Sequence, residues 1–191
     1  MSRGPGPAPA RRLAAGPLTL RAFSGTEGPA LHEAVSASLA HLRPWMPWAR
    51  DATAEATAAF VRRSVEEWDQ GHAYGYWMSE EPGGELVGCA GLHRRVGPGG
   101  LEIGYWVRAD RVRRGYATAS ARALTSAALA LEGVERVEIH CDEANTASAG
   151  VPRALGFRLD RVVEMPAEAP SEVGRRQVWV VDAGEWLRPS S

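Results

Sequence analysis

With 191 residues, 45% hydrophobic and 24% charged, the chain is long enough for one globular domain with a sizeable core. Its formal net charge of -1 speaks against a nucleic-acid binder, which would carry a broader basic surplus. No run approaches 18 consecutive apolar residues, so no membrane span is expected. All 22 basic side chains are arginine, a bias that a GC-rich coding sequence explains. Cys89 and Cys141 lie in apolar, strand-like runs without metal-type spacing, which predicts two buried thiols in a reducing cytoplasm.

The first 17 residues, MSRGPGPAPARRLAAGP, have no apolar h-region and read as a disordered tail, not a signal peptide. Order is expected from Leu18 to Leu187, with 188–191 a second tail. LTLRAF (18–23) alternates like a strand, and Leu31, Val35, Leu39 and Leu42 recur at helical spacing within 26–42. RPWMPW (43–48) breaks that helix with two prolines, and a second helix is predicted over 53–70 with Gly71 as its stop. The period then changes. AYGYWMSE (73–80), a turn at EPGGE and ELVGCAGLHRRV (85–96) predict a hairpin, followed by LEIGYWVR (101–108) as a third strand. A small-residue helix is expected from Gly115 to about Leu131, a strand over 134–141 and a short helix over 145–155. FRLDRVVE and RQVWVVDAGEW complete the chain as two further strands. The sum is a single α+β domain with a mostly antiparallel sheet.

RVRRGYATAS (111–120) joins a strand to a helix. A helix start leaves backbone N–H groups unpaired and concentrates roughly half a positive charge, and the small residues Gly115 and Ala117 leave it open to an anion. The segment has neither the Gly-Lys-Ser/Thr of a nucleotide P-loop nor the G-x-G-x-x-G of a dinucleotide fold. By itself it reads equally as a capped surface turn.

In context it resembles the acyl-CoA pyrophosphate loop of the GNAT (GCN5-related) N-acetyltransferase family, whose pattern is Gln/Arg-x-x-Gly-x-Gly/Ala. Gly115-x-Ala117 fits, while Val112 stands in the Gln/Arg slot. Asn145-Thr-Ala-Ser148-Ala-Gly-Val151-Pro-Arg-Ala-Leu155-Gly156-Phe157 resembles the N-x-x-S-x-x-V-x-x-x-L-G-F signature of the family's RimJ/RimL-type branch, the ribosomal-protein-alanine acetyltransferases. SLAHLRPWMPWA (38–49) is similar to the aromatic, proline-broken segment of that branch.

The resemblance implies a single-domain GNAT fold, a mixed, mostly antiparallel sheet splayed at its centre with flanking helices. It implies transfer of the acetyl group of acetyl-CoA directly to a primary amine, a protein N-terminus or a small molecule, with no metal. Glu102 would be the general base, its pKa raised toward use by apolar neighbours such as Tyr105 and Trp106. An α-amine costs roughly 3 kcal/mol less than a lysine to deprotonate at neutral pH. Ser148 would serve the cofactor sulfur, because the slot where many relatives carry a tyrosine acid holds Pro152. Asn145 would bond the pantetheine arm or cap its helix, and Val107 and Arg108 would offer strand amides to that arm. Arg113, Arg114, Gly115, Tyr116, Ala117 and Thr118 would hold the pyrophosphate. Trp45 and Trp48, with Trp68, Tyr74 and Tyr76, would surround the acceptor entrance.

His93, Arg94 and Arg95 read as a solvated hairpin end, and His140, Cys141 and Asp142, contiguous on a strand, as no metal site. Neither a membrane nor direct nucleic-acid binding is expected, and a homodimer is left open. A non-catalytic acyl-CoA-binding module and an RNA- or ribosome-binding protein remain as alternatives.

Overall fold

The computed structural model describes residues 8–80 and 84–187. Two strands open the chain, β1 (Arg12–Ala15) and β2 (Leu18–Ala22). Helices α1 (Gly28–Ser36) and α2 (Leu39–Leu42) follow, then a short 3-10 helix over Pro47–Asp51 and the long helix α3 (Ala54–Gln70). Strands β3 (Ala73–Ser79), β4 (Gly88–His93) and β5 (Gly100–Val107) form a meander, and α4 (Tyr116–Leu129) crosses to β6 (Arg136–Asp142). Helix α5 (Thr146–Ala154), β7 (Arg158–Glu164), β8 (Arg175–Asp182) and the one-turn α6 (Ala183–Trp186) complete it.

The eight strands form one sheet in the order β1-β2-β3-β4-β5-β6-β8-β7, antiparallel throughout except for the β5–β6 pair. This is the expected α+β fold with flanking helices. Side chains alternate across the sheet, so β5 sends Leu101, Ile103, Tyr105 and Val107 to the face covered by α4, and Trp106 to the cluster formed by α1 and α3. Helix α4 can lie close because its buried side is small, Ser120, Ala121, Thr125 and Ala128 around Leu124.

Several boundaries differ from the sequence reading. β1 lies inside the segment read as a tail, paired with β2 from Arg12↔Arg21 to Ala15↔Leu18; RLAA gives no apolar alternation from which to see it. Residues 1–7 and 188–191, and most of the EPGGE turn, lie outside the described residues. The helix expected over 26–42 is two, broken between Ser36 and Leu39, and Ser38 is buried there with its hydroxyl accepting the Ala109 N–H at 3.2 Å. The last expected strand ends at Asp182, whose carboxylate and Glu185 form a capping box that starts α6. No helix among the described residues is long and apolar enough to cross a membrane.

β4 and β5 approach closely at Gly88. A Cβ on Gly88 would stand 2.2 Å from the Trp106 carbonyl oxygen and 2.6 Å from Met78. Gly88→Ala is therefore expected to lower stability by about 1–3 kcal/mol in a urea titration. An unchanged midpoint would contradict this close approach.

Candidate active site

The site begins where two strands part. β5 and β6 pair in parallel only from Gly100↔Arg136 to Ile103↔Ile139, although β5 runs on to Val107 and β6 to Asp142. β5 stays bonded to β4, and β6 to β8, so the sheet is splayed at its centre. The Arg108 N–H bonds the Val87 carbonyl on the β4 side, at 2.9 Å. By strand alternation the Val107 and Tyr105 amides point the other way, into the split. Val107 thus stands where a pantetheine arm could complete the ladder. Arg108 does not: its N–H is used by Val87, and its guanidinium holds Glu85 and Asp110.

The loop after β5 ends in two left-handed residues, Arg113 (φ 61°) and Gly115 (φ 77°). Gly115 is the N-cap of α4 and brings no side-chain cap, so the N–H groups of Gly115, Tyr116, Ala117 and Thr118 have no acceptor among the described residues. Open amides at a helix start suit an anion. Val112 is 37% exposed and faces solvent, consistent with a loop that works through its backbone. Arg114 and the Tyr116 hydroxyl both meet Glu80, and Arg111 meets Glu85 and Asp110. Arg113 has no ion-pair partner among the described residues, which leaves it the freest cation here.

Across the split, Asn145 caps α5, its Oδ1 accepting the Ser148 N–H at 3.0 Å. That use leaves only its NH2 for a substrate. Pro152, inside α5, has no N–H for the Ser148 carbonyl four residues earlier. The Tyr105 hydroxyl donates to that carbonyl at 3.2 Å and also lies 3.2 Å from Ser148 Oγ. A tyrosine hydroxyl thus does stand beside Ser148, brought there by β5 and not by slot 152. Burial, partly offset by the Ser148 hydrogen bond, pushes its pKa up, so the phenol keeps its proton at neutral pH. The Cys141 thiol lies beside the same serine and is pushed up to about 11, chiefly by burial.

Glu102, on the opposite face of β5, is buried. Arg95 grips it with two bonds, Nε to Oε2 at 2.8 Å and Nη2 to Oε1 at 2.6 Å. Burial works to raise the carboxyl, but the Arg95 bonds and the Arg95 charge, joined by the His140 and His93 rings only when these are protonated, outweigh it and hold it below the usual range. The upward shift expected from sequence is overturned: the neighbour that decides is Arg95, itself read as solvated. A depressed folded pKa means that the pair stabilises the fold at neutral pH and ceases to do so as pH falls through that value.

A cleft of about 460 Å³ runs through the split, lined by Glu102 and His140 on one side and by Cys141, Asn145 and Ser148 on the other. Trp45 and Pro47 form its wall, and Arg176, Glu168 and Glu172 its outer rim. Asp142 also lines it, accepting backbone N–H groups from Ala144, Val173, Gly174 and Arg175 and so fixing the β7–β8 loop. Ser171 N–H ties that loop to the Pro44 carbonyl at 3.0 Å.

Not every expected wall residue is here. Trp48 is 45% exposed and packs on Trp106, outside the cleft. Tyr74 and Tyr76 are fully buried in the core, edge-on to Trp68 at 5.2 and 5.1 Å, and line no entrance. Sequence alternation puts both on one face without saying which. Arg95, His140, Arg176, Glu168 and Glu172 were not singled out as cleft residues, and only cross-strand register could have found the first two.

The signature of the Acetyltransferase (GNAT) domain matches residues 17–158. No curated protein matches by sequence. Among solved structures, Mycobacterium smegmatis RimJ in complex with CoA-disulfide is similar at TM-score 0.80 and 22% identity over 93% of this chain and 88% of that one. RimL, a ribosomal L7/L12 alpha-N-protein acetyltransferase in complex with coenzyme A, is similar at TM-score 0.80 and 24% identity over 90% and 97%. The Salmonella typhimurium acetyltransferase that modifies the N-terminal serine of L7/L12 gives 0.75 and 23% over 86% and 94%.

The amide-rich loop has a direct test. No atom lies within 4 Å of a Cβ on Gly115, but its φ of 77° strains any side chain placed there, aspartate less than most. Gly115→Asp is expected to lower the melting temperature modestly and, at a temperature where the variant is folded, to weaken CoA binding at least tenfold by calorimetry; unchanged affinity would remove the loop as the pyrophosphate site. The splayed sheet, the open helix start and the matched domain together place this chain in the GNAT family of acetyltransferases, which use acetyl-CoA as acyl donor.

Proposed function

We propose that this chain acetylates the α-amine of a protein N-terminus. The observation that carries this reading is the carboxylate of Glu102, kept charged by Arg95 at the floor of a cleft that opens onto the strand split. An acceptor ammonium is drawn to Glu102, with Glu168 and Glu172 adding negative charge at the rim and Trp45 and Pro47 giving a flat wall for the residues behind it. The RimL neighbour, a ribosomal L7/L12 alpha-N-protein acetyltransferase, and the Salmonella typhimurium enzyme that modifies the N-terminal serine of L7/L12 support the same acceptor class. An α-amine also loses its proton more readily than a lysine, by roughly 3 kcal/mol at neutral pH.

The residues divide the work. The Tyr105 amide, the first donor left free beyond Ile103, meets the thioester carbonyl as it becomes an oxyanion, where a fixed donor is worth most, and the Val107 amide pairs with the pantetheine arm. Ser148, backed by the protonated phenol of Tyr105, hands a proton to the leaving thiolate. Asn145 offers its NH2 to the pantetheine arm, while Arg113 and the Gly115–Thr118 amides hold the pyrophosphate. Glu102 positions the amine. Held in its charged form by two guanidinium bonds, it is a weaker base than the sequence suggested. Two free, buried cysteines suit the reducing cytoplasm.

The arginine loop is a poor RNA surface, because Arg108, Arg111 and Arg114 are matched by Glu80, Glu85 and Asp110. The test is a panel of short peptides with free N-termini, N-blocked lysine peptides and small amines, assayed with acetyl-CoA by mass spectrometry. Acetyl mass on the free N-termini is expected, with lysine peptides at least tenfold slower. Transfer only to small amines would replace the acceptor class. A melting-temperature rise with acetyl-CoA but no transfer to any amine would leave a binding module.

A further inference from the structure

If Glu102 is a positioning carboxylate, another group must take the amine's proton. β5 and β6 run parallel there, with Glu102 and Glu138 as register partners on the same face. Two carboxylates on adjacent strands repel, and each has its own guanidinium: Arg95 on Glu102 and Arg136, Nε to Oε1 at 2.8 Å, on Glu138. His140, two residues beyond Glu138 and so on the same face, sits between them. Its Nε2 is 2.7 Å from Glu138 Oε2, and its Nδ1 is 3.6 Å from Glu102 Oε2.

We propose that His140 is the catalytic proton acceptor of this enzyme, oriented by Glu138, an assignment that rests on the acetyl transfer proposed above. A carboxylate only accepts, so the nitrogen against Glu138 carries the hydrogen in the neutral imidazole and the Nδ1 lone pair is left open. The 3.6 Å gap from Nδ1 to Glu102 is too long for a direct hydrogen bond, but an ammonium nitrogen can reach both atoms from beside it. Glu138 is almost fully buried, while His140 lines the cleft. Among the described residues no group of three or more His, Cys, Asp or Glu is arranged to hold a metal ion, so the cluster is not a cation site.

The balance closes. The acceptor ammonium gives one proton to Nδ1, and the freed lone pair forms the C–N bond. The C–S bond then breaks, and the second amine proton reaches the thiolate through Ser148. His140 leaves the step as an imidazolium between two carboxylates and returns its proton to water in the cleft. The charged groups facing it are Glu102 from β5, Glu138 and Asp142 from β6, Arg95 and Arg136 over these carboxylates, and Arg176 from β8. Arg176 is turned partly to Glu168, at 3.7 Å.

The test is the pH dependence of kcat/KM with an accepted peptide. Wild type should show an acid limb in this profile. His140→Gln should lower kcat/KM by about 10²-fold or more and abolish the limb, with the acetyl-CoA melting shift intact. Imidazole should restore at least fivefold to His140→Ala. Glu138→Gln should move the limb to lower pH, because the imidazolium loses a negative neighbour. In the wild-type protein, ¹⁵N NMR should find the hydrogen of neutral His140 on Nε2, a reading that needs no variant to fold. A His140→Gln enzyme within threefold of wild type with its limb in place, or a Nδ1–H tautomer, overturns the assignment while transfer stands. A wild type that acetylates no amine removes the transfer reading and this assignment together.

Discussion

Everything at the site depends on two strands that stop pairing. Ile103↔Ile139 is the last β5–β6 register pair, and beyond it each strand keeps only its outer neighbour. An unpaired strand edge inside a sheet is costly unless something accepts its hydrogen bonds. The Tyr105 and Val107 amides therefore await a ligand with alternating amide groups, which a pantetheine arm has. The split also lets a substrate on one face be reached from the other. The molecule holds it open from both sides: α4 and α5 flank one face, and the β7–β8 loop, tied by Asp142 and to Pro44, borders the other.

The Pro152 substitution shows how local chemistry compensates. A proline in a helix leaves the carbonyl four residues earlier without its partner. In α5 that carbonyl belongs to Ser148, the residue proposed to hand a proton to the leaving thiolate. Tyr105 takes the free carbonyl and approaches the serine hydroxyl with the same oxygen. Removing the phenol would therefore free both the helix turn and the hydroxyl. Proline and tyrosine are one device contributed by two elements 47 residues apart, counted from Tyr105 to Pro152.

Much of this was legible in the sequence. The strand-to-helix loop, the Asn145-x-x-Ser148 motif and the Leu155-Gly156-Phe157 ending lie in local patterns, and the two downstream motifs give meaning to a loop that alone reads equally as a capped turn. The element order followed from periodicity. What stayed hidden depends on pairing across strands. Arg95 seemed a hairpin tip because nothing local shows that its side chain folds back along β5 onto Glu102. Tyr74 and Tyr76 seemed available because alternation names a face without naming its cover, and that cover proved to be Trp68. β1 was missed because four residues with two alanines carry no period.

Strand parity explains why the acid and base groups do not interfere. On β5, Glu102 and Tyr105 are three residues apart and so point to opposite faces; on β6, Glu138 and His140 share the face of Glu102, and Cys141 shares that of Tyr105. The charged groups thus gather where the amine enters, and the phenol, hydroxyl and thiol gather where sulfur leaves. A one-residue slip of β5 against β6 would exchange the two sets and bury a carboxylate against α4. The Gly88–Trp106 contact resists that slip from the β4 side, and the Arg95 and Arg136 ion pairs resist it from within. The same guanidinium that keeps Glu102 charged and able to attract an amine also lowers its basicity. That is why the neighbouring imidazole, and not the buried carboxylate, is the group this register leaves for the proton.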